Sequence, residues 1–141
     1  MKPDLQTAIF LAGIAQLALA AGSLVIPGIL KWKEELSKVN TMIKQMFWTY
    51  AAYIFVINLC FGLLSVFAVS ELLNGSLISL LVCGFIAVYW ISRVLIQFLY
   101  FDRKSFPAGK LYLLGEVALV GLFVALSIIN SLAFYANYLL I

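Results

Sequence analysis

"LISLLVCGFIAVYWISRVLIQFLYF" (residues 77–101) carries one charged side chain, Arg93, in a run otherwise dominated by apolar residues. Crossing a hydrocarbon core about 30 Å thick takes about 20 apolar residues of helix, so this run is long enough to span a bilayer. Lipid offers no partner to backbone N–H and C=O groups, so an open strand would leave them unsatisfied. The run is also too long and too uniformly apolar for a barrel strand. Helix is the conformation its chemistry dictates.

Three further runs of the same kind lie outside it, at about 7–30, 47–69 and 111–140. Of the 141 residues, 65% are hydrophobic and only 11% charged. A soluble globule of that length leaves much of its chain in contact with water and cannot hide so much apolar surface. The second connection contains Asn74 and Gly75, and the third Pro107 and Gly109, all residues that turn or break a helix. Short connections make neighbouring helices antiparallel. The expected fold is therefore all-α: an integral membrane, antiparallel four-helix bundle with four transmembrane helices, forming a single domain over residues 1–141. As a helix, the run 111–140 would extend ~45 Å, so it is expected to tilt or to emerge past the outer surface.

Charge orients the bundle. Lys31, Lys33, Lys38 and Lys44 follow the first run, and Arg103, Lys104 and Lys110 follow the third, whereas the other side carries Lys2 and Glu71. By the positive-inside rule the connections at 31–46 and 102–110 are cytoplasmic and both termini lie on the outer side. The expected location is the plasma (inner) membrane. Ala18, Ala20 and Ala21 resemble a signal-peptidase site, but Lys2 is offset by Asp4 and the basic cluster follows the apolar run. The first run is expected to be a retained helix.

Within the first connection, Trp32, Leu36, Val39, Ile43 and Met46 recur at three- and four-residue steps. That periodicity predicts an amphipathic helical segment over about 31–46, lying at the interface or extending the second span. Trp32, Leu36, Val39 and Ile43 are its candidate partner-docking residues. Ala8, Ala12, Ala18 and Gly22 in the first run, and Gly121 and Ala125 in the fourth, are spaced four apart in pairs and are candidate helix-packing positions.

The chain contains no histidine, which removes the usual haem, di-iron and zinc ligand sets, and it has too few carboxylates for an oxygen cage. Cys60 and Cys83 stand in separate runs with no paired-thiol motif, so they read as small hydrophobes. No phosphate-loop, dinucleotide or serine-hydrolase motif occurs, and no basic face suits a nucleic acid. The sequence points away from an enzyme and implies no cofactor and no metal.

What remains is polarity at membrane depth. Arg93 lies ~12 Å inside the end of its run and Glu116 ~8 Å inside the start of the next. A pair between them would offset the cost of an unpaired intramembrane charge, ~2.5–3.5 kcal/mol on insertion scales. Tyr89, Trp90 and Gln97 share the helical stripe of Arg93, and Tyr112 stands one turn from Glu116. These six residues form a candidate ligand or lipid site, or alternatively a bundle-locking cluster in which Arg93 pairs with Glu116 or snorkels to phosphates. The expected role is a non-catalytic subunit or accessory protein of a larger membrane complex. Its partners would be membrane lipids and another membrane protein or a second copy. The alternatives are a lipid or hydrophobic-ligand binding protein with its polar-aromatic site at the inner interface, and a small oligomeric transporter or channel.

Overall fold

The computed structural model describes residues 2–100 and 109–141, with side chains from Asp4 onward in the first helix. The basic patch at Arg103 and Lys104 and the helix-breaking Pro107 lie outside the described residues. Every element among the described residues is a helix: α1 (Lys2–Ser23), α2 (Ile26–Ile29), α3 (Trp32–Leu36), α4 (Thr41–Phe67), α5 (Val69–Leu72), α6 (Leu77–Leu99) and α7 (Lys110–Leu140). Four stretches are long and apolar enough to cross a membrane: Asp4–Ile29, Thr41–Phe67, Leu77–Leu99 and Lys110–Leu140. They coincide with the four runs expected from hydropathy, with shifted ends.

The largest shift has a local cause. Residues 37–40 interrupt the helical periodicity expected to run from Trp32 to Met46. Ser37 donates its hydroxyl to the Glu34 carbonyl at 2.6 Å, and the Asn40 side-chain oxygen accepts the Met42 N–H at 2.8 Å. Serine and asparagine compete for backbone groups in this way, which stops one helix and caps the next. The segment thus divides into the short α3 and the first turns of α4, which begins at Thr41 and not near residue 47.

The chain forms two compact units, one of Phe10–Phe67 and one of Met1–Ile9 with Ala68–Ile141. In the first unit α1 and α4 pack closely and in opposite directions. A Cβ built on Gly13 would lie 2.8 Å from the Ser65 Cβ, and one on Gly62 2.7 Å from Leu17. Hydrogen in place of a side chain is what lets the two backbones approach, the usual solution for helices that gain nothing from apolar burial in lipid. Between these glycines the fully buried Gln16 donates to the Ser65 hydroxyl at 3.4 Å and to the Ala12 carbonyl at 3.3 Å.

In the second unit α6 and α7 pair, again in opposite directions. A Cβ on Gly75 would meet Leu140, one on Gly84 would meet Phe134, and Trp90 stacks on Phe123. Ile9, Leu72, Leu73, Cys83 and Ala133 form the apolar cluster at one end of this pair. The turn before α6 is built from side chains. Asn74 accepts the Ser76 N–H at 2.9 Å, Gly75 takes φ +77°, and Ser76 caps α6 by accepting the Ser79 N–H at 3.1 Å. The positive φ at position 75 is one that glycine adopts without steric cost.

Candidate functional site

Two constellations on α6 and α7 concentrate the polar chemistry. The first is the one expected from sequence. Trp90 is 1% exposed and stacks on Phe123 of α7 with ring centroids 5.4 Å apart and an interplanar angle of 21°. One turn along α6, the Arg93 guanidinium carbon stands 5.0 Å from the centroid of the same ring. A cation over an aromatic face is attracted by the ring quadrupole. Tyr89 meets Trp90 edge-on at 5.1 Å, and Gln97 is buried one turn beyond Arg93. Trp90 and Arg93 of the expected α6 stripe thus share one partner on α7, the Phe123 ring.

Glu116 and Tyr112 stand earlier on α7. Glu116 is half-buried and Tyr112 is 45% exposed. Glu116 lies seven residues, or about 10 Å along the helix axis, nearer the start of α7 than Phe123. The close contacts of Gly84 with Phe134 and of Trp90 with Phe123 set the register of α6 on α7.

Replacing Phe123 by Leu keeps an apolar side chain but removes both ring contacts. The expected loss is about 1–2 kcal/mol, read as a lower unfolding midpoint of the detergent-solubilised chain. An unchanged midpoint would show that the rings contribute only volume.

The second constellation was not anticipated. Asn137 is fully buried; its side-chain nitrogen donates to the Leu72 carbonyl at 2.7 Å and its oxygen accepts the Gly75 N–H at 3.0 Å. Cys83 is buried beside it, 3.6 Å from the same nitrogen. Ser79 donates to the Glu71 carbonyl and bonds the Asn74 side chain at 2.6 Å. Ser127 and Asn130, also buried, bond the carbonyls one turn back on their own helix, Phe123 and Leu126, each at 2.8 Å. These α7 side chains are interior. The available signal was spacing, since residues 127, 130 and 137 fall on one helical face.

The remaining candidates divide. Ala12 is buried and Ala8 half-buried, whereas Ala18, Gly22, Gly121 and Ala125 are exposed. A Cβ on Gly22 or Gly121 would meet nothing within 4 Å. Trp32 and Leu36 are half-buried, and Trp32 sits edge-on against Phe47 at 4.8 Å and Trp48 at 5.7 Å. Val39 falls in the interrupted segment and Ile43 on α4, both exposed. The four proposed docking residues do not share one helix.

Among the described residues no group of three or more acidic, cysteine or histidine side chains is placed to hold a metal ion. Comparison with known proteins found no matching family model, no matching curated protein and no matching solved structure.

Proposed function

We propose that this is a non-catalytic integral membrane protein that acts as a subunit or accessory protein, docking its helices against those of another membrane protein. The four long helices would form an antiparallel bundle with both termini outside and the basic connections cytoplasmic, the orientation favoured by the distribution of lysine and arginine. Only 22–28% of the 18-residue apolar core of each spanning stretch is buried within the chain, which leaves the rest for lipid or a partner to cover.

The observation that carries the docking reading is the two-sidedness of α7. Phe123, Leu126, Ser127, Asn130, Ala133 and Asn137 form its buried face. Gly121 falls about half a turn round from the middle of that face and Ala118 and Ala125 about a third of a turn, at about 100° per residue, and all three are exposed. A notch of small residues packs poorly against mobile acyl chains but accepts another helix at close range. The exposed Ala18 and Gly22 stand in the same relation to the buried face of α1. Ligand binding at Arg93 has less support, because the guanidinium lies against the Phe123 ring.

A bulky residue in the notch tests the proposal. Gly121→Leu should leave the chain's own unfolding midpoint within about 0.5 kcal/mol of wild type, as expected for a substitution that meets no neighbour. It should also abolish co-purification of the partner from native membranes. Retained co-purification would refute docking through this face.

A further inference from the structure

Pro27 and Gly28 of α2, Lys31, Lys33 and Glu34 around the start of α3, and Trp48 of α4 line an open cleft of about 300 Å³. That volume is at the small end of the range for ligand sites, ~300–1,000 Å³. Its lining carries two ammonium groups and one carboxylate. The neighbouring Glu35 is engaged elsewhere, 3.9 Å from Lys38. Positive charge therefore predominates in the cleft.

The local backbone is arranged around these residues. Lys31 takes φ 54° and ψ 48°, and it is the one non-glycine residue with positive φ among those described. An L-residue adopts this left-handed conformation at a free-energy cost that glycine avoids, yet the position carries lysine. The turn it makes joins α2 to α3 with both Lys31 and Lys33 on the cleft. Trp48, which also lines the cleft, belongs to an edge-on aromatic group with Trp32 and Phe47. The cleft also lies at the end of an apolar stretch, since Asp4–Ile29 terminates beside Gly28. Lysine and tryptophan together at the end of a span mark headgroup depth in a bilayer.

We propose that this cleft binds the phosphate of an anionic lipid headgroup, with Lys31 and Lys33 holding the phosphate and Trp48 forming the wall toward the glycerol. Glu34 opposes the anion and tunes the site toward weaker binding. The proposal rests on the four helices spanning a membrane and is independent of the docking face on α7. Free phosphate shares the recognised chemistry, so the test has an arm for each source.

The experiment is native mass spectrometry of the full chain, purified in mild detergent and offered phosphatidylglycerol and phosphatidylcholine together. Wild type should retain phosphatidylglycerol in preference. The Lys31→Gly, Lys33→Gln double variant should bind it roughly thirtyfold more weakly, about fivefold for each ammonium removed. Glycine at position 31 also relieves the left-handed backbone, so loss of binding is not loss of fold; helical circular dichroism checks this. Lys31→Arg with Lys33→Arg should retain binding, Glu34→Gln should strengthen it, and Lys44→Gln, outside the cleft, should leave it unchanged.

Undiminished phosphatidylglycerol retention by the double variant would overturn the proposal, as would equal retention of phosphatidylcholine by wild type. An equal loss in Lys44→Gln would reduce the effect to bulk charge and overturn the cleft. Displacement of the lipid by inorganic phosphate, with phosphate binding undiminished in lipid-free micelles, would overturn the lipid assignment in favour of the free anion. Failure of the membrane reading would show separately, as release of the chain from native membranes by alkaline carbonate.

Discussion

Replacing Asn137 with leucine should destabilise the folded chain by about 2–4 kcal/mol, one of the two largest effects expected of a single substitution. The side chain is fully buried and joins α7 to the turn before α6 by two bonds, to the Leu72 carbonyl and from the Gly75 N–H. Leucine is of similar size and strands both backbone groups, each at about 1–3 kcal/mol when no partner replaces the one lost. The Leu72 carbonyl keeps the Cys83 thiol at 3.4 Å, a weak donor, which trims the upper end of the sum. Side-chain bonds between membrane helices average only about 0.6 kcal/mol, because the separated helices find other partners. The stranded groups here are backbone, so the larger figure governs. Denaturant titration in detergent measures the difference, and hydrogen exchange at the Gly75 amide should accelerate with it. An unchanged midpoint would mean that water satisfies this turn and that Asn137 is not a lock.

Gly13→Val should cost about 2–3 kcal/mol by the opposite mechanism, overpacking. Even the first carbon of a side chain at position 13 would stand 2.8 Å from both the Ser65 Cβ and the Val66 Cγ2, and 2.9 Å from the Ser65 carbonyl carbon. The last of these is backbone and cannot rotate away, so α1 and α4 must separate. Separation also stretches the bond from Gln16 to Ser65, already 3.4 Å long. Gly13→Ala should show a smaller loss in the same direction. If valine were tolerated without a drop in midpoint, α1 and α4 would not approach as closely as these distances require.

These two positions show where sequence reasoning reached and where it stopped. Four helices long and apolar enough to span were legible because bilayer thickness converts directly into run length. The turn at Asn74 and Gly75 was legible because those side chains carry their own turn chemistry. Gly13 and Gly62 were not singled out, although both are glycines in apolar helices. The four-residue pairs drew attention to Ala18 with Gly22 and to Gly121 with Ala125 instead. Spacing identifies small faces, but only the register between helices shows which face meets a neighbour.

Register also governs the polar cluster. Tyr89, Trp90, Arg93 and Gln97 could be read as one stripe because α6 is regular. Phe123 could not be matched to them, since apolar α7 offers many equivalent rings and side chains. Asn137 could not be matched to the turn before α6, since sequence position alone does not distinguish a helix end in water from one folded back onto a turn. The break at residues 37–40 is the remaining miss: hydrophobic periodicity carried through it, while Ser37 and Asn40 bonded to the backbone and ended the helix.

The proposed docking role rests on the outward face of α7, and a photo-crosslinking residue placed at Gly121 in the full chain tests it most directly. On irradiation in native membranes it should form a discrete adduct with one other membrane polypeptide. The same probe at Tyr138, an exposed position about 100° round α7 from Gly121, serves as the comparison and should give a weaker adduct or none. Adducts to lipid alone at Gly121, or equal polypeptide adducts from both positions, would contradict docking through this face. An adduct to a second copy of the chain would replace the foreign partner with self-association.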